Sequence, residues 1–199
     1  GNETWLVLGG AGLFGAFPLA YATILPALYL PLSLMLVALI FRGVAFEFRF
    51  KARRTRWFWD AAFGFGSTLA AFTQGVALGA FIQGIEVSGR QFAGGPLDWL
   101  TPFSIMTGFG LVAGYAMLGC GWLIMKTEGR LQQRFFGLMM PLGIALLCFI
   151  AAVSLWTPIR SAEIARRWFD WPNILYLSPV PILVGLVWLG LFAALKRRA

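Results

Sequence analysis

Histidine is absent from this 199-residue chain. Its absence removes the commonest side-chain metal ligand and the usual proton-transfer group near neutral pH. Cysteine occurs only twice, as Cys120 and Cys148. Both fall inside apolar stretches without CxxC spacing, where a small thiol packs well and is read as structural. No cluster of Cys and carboxylates has metal-ligand spacing, and no Ser or Cys nucleophile has a base beside it. Charge is scarce as well: Asp, Glu, Lys and Arg make up 12% of the chain, where a soluble domain carries roughly a quarter. Such a chain is a poor candidate for a catalytic subunit on its own, and it cannot keep a soluble surface wet.

What it has in abundance is apolar length. Hydrophobic residues make up 59% and the mean hydropathy is +0.78. A hydrocarbon core of about 30 Å takes about 20 apolar residues per helix, and six candidate spans lie at about 4–24, 27–48, 58–84, 100–125, 133–156 and 174–195. Lipid offers backbone groups no water, and nothing alternates like a barrel strand. The expected fold is therefore all-α, a polytopic transmembrane helical bundle of about six helices, with residues 1–199 forming one domain of a longer chain. The chain opens Gly-Asn-Glu without Met, basic n-region or cleavage site, so no signal peptide is expected.

Lysine and arginine placement sets the expected orientation. Arg49, Lys51, Arg53, Arg54 and Arg56 follow the second span, Lys126, Arg130 and Arg134 follow the fourth, and Lys196, Arg197 and Arg198 follow the sixth. The positive-inside rule puts these three clusters, and with six spans both chain ends, in the cytoplasm. A turn near Pro26, the segment 85–99 and the loop 157–172 then face the other side. The last is a weak exception, because Arg160, Arg166 and Arg167 outnumber Glu163 and Asp170. The formal net charge of +8 is thus a topology signal rather than a nucleic-acid footprint. The basic loops also suit anionic lipid headgroups.

One motif invites a wrong answer. Gly10-Ala11-Gly12-Leu13-Phe14-Gly15 reads as GxGxxG after an apolar run, the dinucleotide fingerprint. No acid follows about 20 residues on to hold a ribose, since the next is Glu47, and the sequence continues into Phe17, Pro18 and another apolar run. Gly9, Gly12 and Gly15 are better read as a small-residue stripe on a helix that meets another helix closely. Similar stripes recur at Gly75/Gly79 and Gly110/Gly114. With 24 glycines in all, a tightly packed bundle is expected. Pro18, Pro102, Pro141, Pro179 and Pro181 lie within or at the ends of spans, where each removes a backbone hydrogen bond.

The remaining interest lies in ionisable residues at or inside span ends, which mark proton paths or inter-subunit polar contacts more often than chance, because burying them is costly. Glu3 stands two residues before Trp5, Arg42 and Glu47 close the second span, and Asp60 opens the third. The bland alternative is that Arg42 and Glu47, five apart and not an ideal helical pair, snorkel to the interface, and that Asp60 sits near a helix N-terminus.

Several segments, in order and with matching spacing, carry a resemblance. They are Gly1-Asn2-Glu3-Thr4-Trp5 followed by Gly9 to Pro18 and Tyr21-Ala22; Tyr29-Leu30-Pro31; Ile40-Phe41-Arg42-Gly43-Val44-Ala45-Phe46-Glu47-Phe48-Arg49; Trp57 to Asp60; and Thr101-Pro102-Phe103 with Gly108 to Gly114. This pattern resembles subunit II of the cytochrome bd-type ubiquinol oxidases, strongly over about residues 1–126 and more thinly afterwards. The glycine-rich first motif and short loops look closer to the cyanide-insensitive branch.

The resemblance implies a chain of about nine transmembrane helices, of which the first and the last two are missing here. It implies no cofactor in this chain. Haems b and d and the quinol site belong to a haem-bearing subunit I, the partner in a heterodimer to which small accessory subunits attach. The complex oxidises ubiquinol and reduces dioxygen to water in the bacterial inner membrane, taking protons for oxygen chemistry from the cytoplasm. By the same resemblance Asn2 and Glu3 are proton- or water-contact candidates, Trp5 borders an oxygen path, and Arg42 and Glu47 make structural polar contacts. The family reads Trp-Asp-Gly-Asn at the first motif. The chain opens at that Gly, so no role of the Asp can be placed on it.

Two other classes remain open from the residues alone. A secondary transporter would favour an internal repeat and a broken helix at the midplane; no convincing repeat relates residues 1–99 to 100–199. A purely structural membrane scaffold would tolerate uncharged replacements at Glu3, Arg42, Glu47 and Asp60.

Overall fold

The computed structural model describes residues 2–196; the side chains of Asn2, Glu3 and Leu6 also lie outside the described set. The helices are α1 (Asn2–Ala16), α2 (Pro18–Lys51), α3 (Arg56–Gln83), α4 (Pro102–Lys126), α5 (Gly129–Arg160), α6 (Ala162–Phe169), α7 (Asn173–Leu177) and α8 (Pro179–Lys196). The only described strands, β1 (Val87–Ser88) and β2 (Gln91–Phe92), pair antiparallel between α3 and α4. Gly89 has φ +64° at the first of the two turn positions, which suits a two-residue hairpin turn that only glycine enters without strain. The all-α membrane fold expected from composition is the fold observed, with five helices long and apolar enough to cross a bilayer.

The first two expected spans are divided differently. No turn occurs near Pro26; the break falls at Phe17, with φ −133° and ψ 62°, directly before Pro18. A proline ring bars the preceding residue from helical geometry, and Pro18 itself fits the first helical turn, where its missing N–H costs nothing. Pro26 and Pro31 are carried inside α2. The result is a short α1 of about 22 Å and an α2 of about 51 Å at 1.5 Å per residue. The first falls short of the hydrocarbon core, and the second exceeds it and must tilt or project. Residues 10–15 lie within continuous helix with no strand before them, so the dinucleotide reading has no structural basis.

The chain divides into two compact units, Gly1–Gly108 and Phe109–Ala199. In the first, α2 and α3 form an antiparallel pair. Leu28, Pro31, Met35, Ala38 and Ala45 are the buried face of α2, and Gly66, Ala70, Thr73, Ala77 and Ala80 that of α3. Both sets follow a period near 3.5, the spacing of a seam between helices crossing at a shallow angle. Most of these residues are small. With lipid as apolar as Leu, close van der Waals contact between backbones is what holds such helices together. A Cβ on Gly66 would meet the Ala38 carbonyl oxygen at 2.8 Å, and one on Gly79 would meet Ser104 Cα at 2.7 Å.

In the second unit, α4 packs on α5, and Gly110 lies where a Cβ would be 3.2 Å from Phe149 Cβ. Trp188 of α8 is buried and stacks on Phe192 at 5.5 Å, over Gly143 of α5. The segment expected as the loop 157–172 is largely helical. Its α6 carries Glu163, Arg166 and Arg167 on one side and Ile164, Ala165 and Trp168, which are half-buried, on the other. Ser161 caps it by accepting from the Ile164 N–H at 3.4 Å.

Candidate functional site

The charged end of the α2–α3 pair is where most of the candidate residues fall. Four residues, 52–55, connect the helices, which brings the last turn of α2 against the first turn of α3. Arg49 and Asp60 form an ion pair across this junction, and Phe48 lies on Trp59 with ring centroids 5.2 Å apart. Glu47 accepts from Lys51, one turn on, at 3.3 Å. Both pairs are about half exposed or more, so they serve as register and surface contacts rather than buried charges. Arg42 is half-buried, with its backbone N at 3.3 Å from the position of a Cβ on Gly66.

Arg42, Glu47 and Asp60 therefore share one end of one helix pair, with Asp60 paired to Arg49 and Glu47 to Lys51. Their partners, Arg49 for Asp60 and Lys51 for Glu47, were legible only as topology markers. The Glu47–Lys51 spacing of four was a signal in the sequence, whereas the Arg49–Asp60 pair depends on the hairpin register of two helices. Trp5 on α1 is 71% exposed. Asn2 and Glu3, the two proton-path candidates, have side chains outside the described residues.

A second polar group was not anticipated. At the far end of α3, the Thr101 hydroxyl donates to Gln83 Oε1 at 2.5 Å, and the Ser104 hydroxyl donates to the Trp99 carbonyl at 2.6 Å while accepting from the Thr101 N–H at 3.0 Å. One turn deeper, the Thr107 hydroxyl is shared between the Ser104 carbonyl of its own helix at 2.7 Å and the Gly75 carbonyl of α3 at 2.9 Å. Ser104 and Thr107 are buried. Thr101, Ser104 and Thr107 recur every three residues, so a polar line descends one face of α4 toward α3. Every one of its hydroxyls has a partner, as burial in lipid requires.

The donor set offers no cluster for a metal ion among the described residues. Histidine is absent, Cys120 donates its thiol to the Phe135 carbonyl at 3.1 Å within the α4–α5 packing, and among the described residues no three His, Cys, Asp or Glu side chains gather.

Comparison with known proteins bears on the identity of this helical membrane chain. The family profile described as cytochrome bd terminal oxidase subunit II matches residues 1–199. Cytochrome bd ubiquinol oxidase subunit 2 of Bacillus subtilis is 32% identical over 136 residues, covering 67% of this chain and 40% of that protein. Cytochrome bd-I ubiquinol oxidase subunit 2 of Escherichia coli K12 is 31% identical over 163 residues, covering 78% of this chain and 43% of that protein. A probable cytochrome oxidase subunit 2 of Haemophilus influenzae is 30% identical over 141 residues. The chain thus spans roughly two fifths of the length of the curated relatives it matches. A family match that runs the whole length of the chain, over a fold of membrane-spanning helices, places it in the cytochrome bd terminal oxidase subunit II family.

Proposed function

We propose that this chain is part of the subunit of a bd-type quinol:oxygen oxidoreductase that binds no haem, in a bacterial inner membrane, where it supports a haem-bearing subunit I and helps form proton and oxygen paths. The observation that carries the reading is the full-length family match on a chain with no histidine. In such a complex haems b and d supply the electron transfer from ubiquinol to dioxygen. The residues here have other work: holding the subunit together and bordering routes for small molecules.

In this reading residues 1–199 are one transmembrane domain of a longer, about nine-helix chain, and the basic connections after α2 and α4 and the Lys196 end face the cytoplasm. The same side is proposed for the beginning of α1. That placement requires α1 to cross, although its length of about 22 Å is short of the core. Impermeant thiol labelling of Trp5→Cys in sealed vesicles decides it: labelling only from the cytoplasmic face supports the placement, and labelling only from outside removes it. Asn2 and Glu3 would hold water or a proton near that end, Trp5 would border an apolar oxygen route, and Arg42, Glu47 and Asp60 would fix the α2–α3 junction as polar contacts.

Deletion of the full-length gene tests the activity. Membranes lacking the protein should lose quinol-dependent oxygen uptake and the haem d absorption band together, and both should return on complementation. Retention of both after deletion would remove the reading. Glu3→Gln in the complemented strain should then slow oxygen reduction more than it lowers the amount of assembled complex, because a proton-path group must titrate whereas an assembly contact need only be polar. Equal losses would make Glu3 an assembly residue.

A further inference from the structure

Beside the buried seam of the α2–α3 pair runs an apolar groove of about 380 Å³. Leu34 and Phe41 of α2 and Phe58 and Phe65 of α3 form its walls, and all four are exposed along the open side. Ala38, Ala62 and Gly66 make its floor; because these are small, a furrow remains where larger residues would have closed it. On α3 the groove runs from Phe58 to Leu69, about 16 Å at 1.5 Å per residue. That is about half of a 30 Å hydrocarbon core, the depth of one leaflet. An apolar furrow of that depth, lined by Leu and Phe over a floor of Ala and Gly, suits an acyl chain.

Charge marks one end of the furrow. Phe58 lies two residues from Arg56, and the connection before it carries Arg53 and Arg54. Arg49 is paired with Asp60 and Lys51 with Glu47, while among the described residues no ion pair engages Arg53 or Arg54. Both are exposed. Uncommitted guanidinium groups at the polar end of a leaflet-deep apolar furrow match an anionic headgroup joined to an acyl chain.

We propose that the α2–α3 furrow is a binding site for an anionic phospholipid, with one acyl chain laid from Phe58 to Leu69 and the phosphate held by Arg53 and Arg54. The site depends on the chain spanning a membrane and not on the oxidase reading, and its test uses no turnover.

The experiment uses the full-length protein in its purified complex, in nanodiscs of dioleoyl-phosphatidylglycerol and dioleoyl-phosphatidylcholine in equal amounts, with a trace of phosphatidylglycerol carrying a diazirine in its acyl chain. Photolysis should attach the label to peptides containing Phe41 and residues 58–69, and unlabelled phosphatidylglycerol should compete on the order of tenfold better than phosphatidylcholine. Arg53→Gln with Arg54→Gln should abolish that preference, and Arg53→Lys with Arg54→Lys should keep most of it. These substitutions lie in the connection, outside the packed seam, and Ala61→Trp provides a second variant that should block labelling of 58–69 by filling the furrow mouth. Equal competition by phosphatidylcholine would overturn the proposal. So would labelling that spares the furrow, labelling displaced by a short-chain quinone but not by phosphatidylglycerol, or a preference that survives loss of both arginines.

Discussion

Two helices of the first unit carry glycines at helical spacing, and the structure treats them in opposite ways. On α3, Gly66, Gly75 and Gly79 are buried, and a Cβ at Gly66 or Gly79 would collide with backbone of α2 or α4. On α1, a Cβ at Gly9, Gly12 or Gly15 would meet nothing within 4 Å among the described residues, and the large side chains Val7, Leu8 and Phe14 are exposed around it. The same small-residue spacing thus marks a filled seam in one helix and an open face in the other. Spacing reports that a backbone can be approached; it carries no information on whether the approaching element belongs to this chain. The chain spans roughly two fifths of the length of the curated relatives it matches.

The comparison can be broken most forcefully at Gly79. In the full-length protein Gly79→Leu should drive α3 from α4, because the atom in the way is backbone at Ser104, and should cost about 3 kcal/mol or more. A thermal-stability assay on the assembled complex reads this as a large loss of folded protein. A neutral result would mean that the α3 seam is no tighter than the α1 face.

Thr107→Val should come next, at about 1 kcal/mol, by removing the hydroxyl that reaches the Gly75 carbonyl while nearly keeping its volume. Arg49→Gln and Asp60→Asn should each lower the stability only slightly, and the double variant little more than either alone, because the pair is half exposed. A far larger loss would show that charge, not close packing, holds α2 to α3. The smallest effect is expected at Gly12→Leu, within about 0.5 kcal/mol for the first unit's own packing. A drop as large as that of Gly79→Leu, measured in the whole complex, would reveal a helix from elsewhere seated on α1.

Most of the fold was legible in the sequence because membrane burial writes itself as hydropathy. The spans expected at about 58–84, 100–125 and 174–195 lie within two residues of α3 (Arg56–Gln83), α4 (Pro102–Lys126) and the α7–α8 stretch (Asn173–Lys196). The division between the first two helices was misplaced because hydropathy is blind to which proline breaks a helix. Pro26 and Pro31 sit inside α2, while Pro18 begins it, and the deciding residue is Phe17, which precedes a proline at a helix start.

The loop at 157–172 concealed α6 because its alternation of Arg166 and Arg167 with Ile164 and Trp168 averages to a polar window. At the candidate site, the spacing of four between Glu47 and Lys51 was a signal that was passed over. Arg49–Asp60 needed the register of two helices, and the Thr101–Ser104–Thr107 line was passed over because hydroxyls carry little weight when charges are sought. The three-residue recurrence was the signal that could have found it.

The central claim is that this chain serves a haem-bearing partner without binding haem itself. Its most direct test is to purify the full-length tagged protein from native membranes in mild detergent and record reduced-minus-oxidised spectra of the assembly and of the separated subunit. The account predicts haem b and d bands with quinol-dependent oxygen uptake in the assembly, and no haem band in the isolated subunit. A folded preparation that never carries a haem partner, or haem bands that stay with this chain after separation, would contradict it.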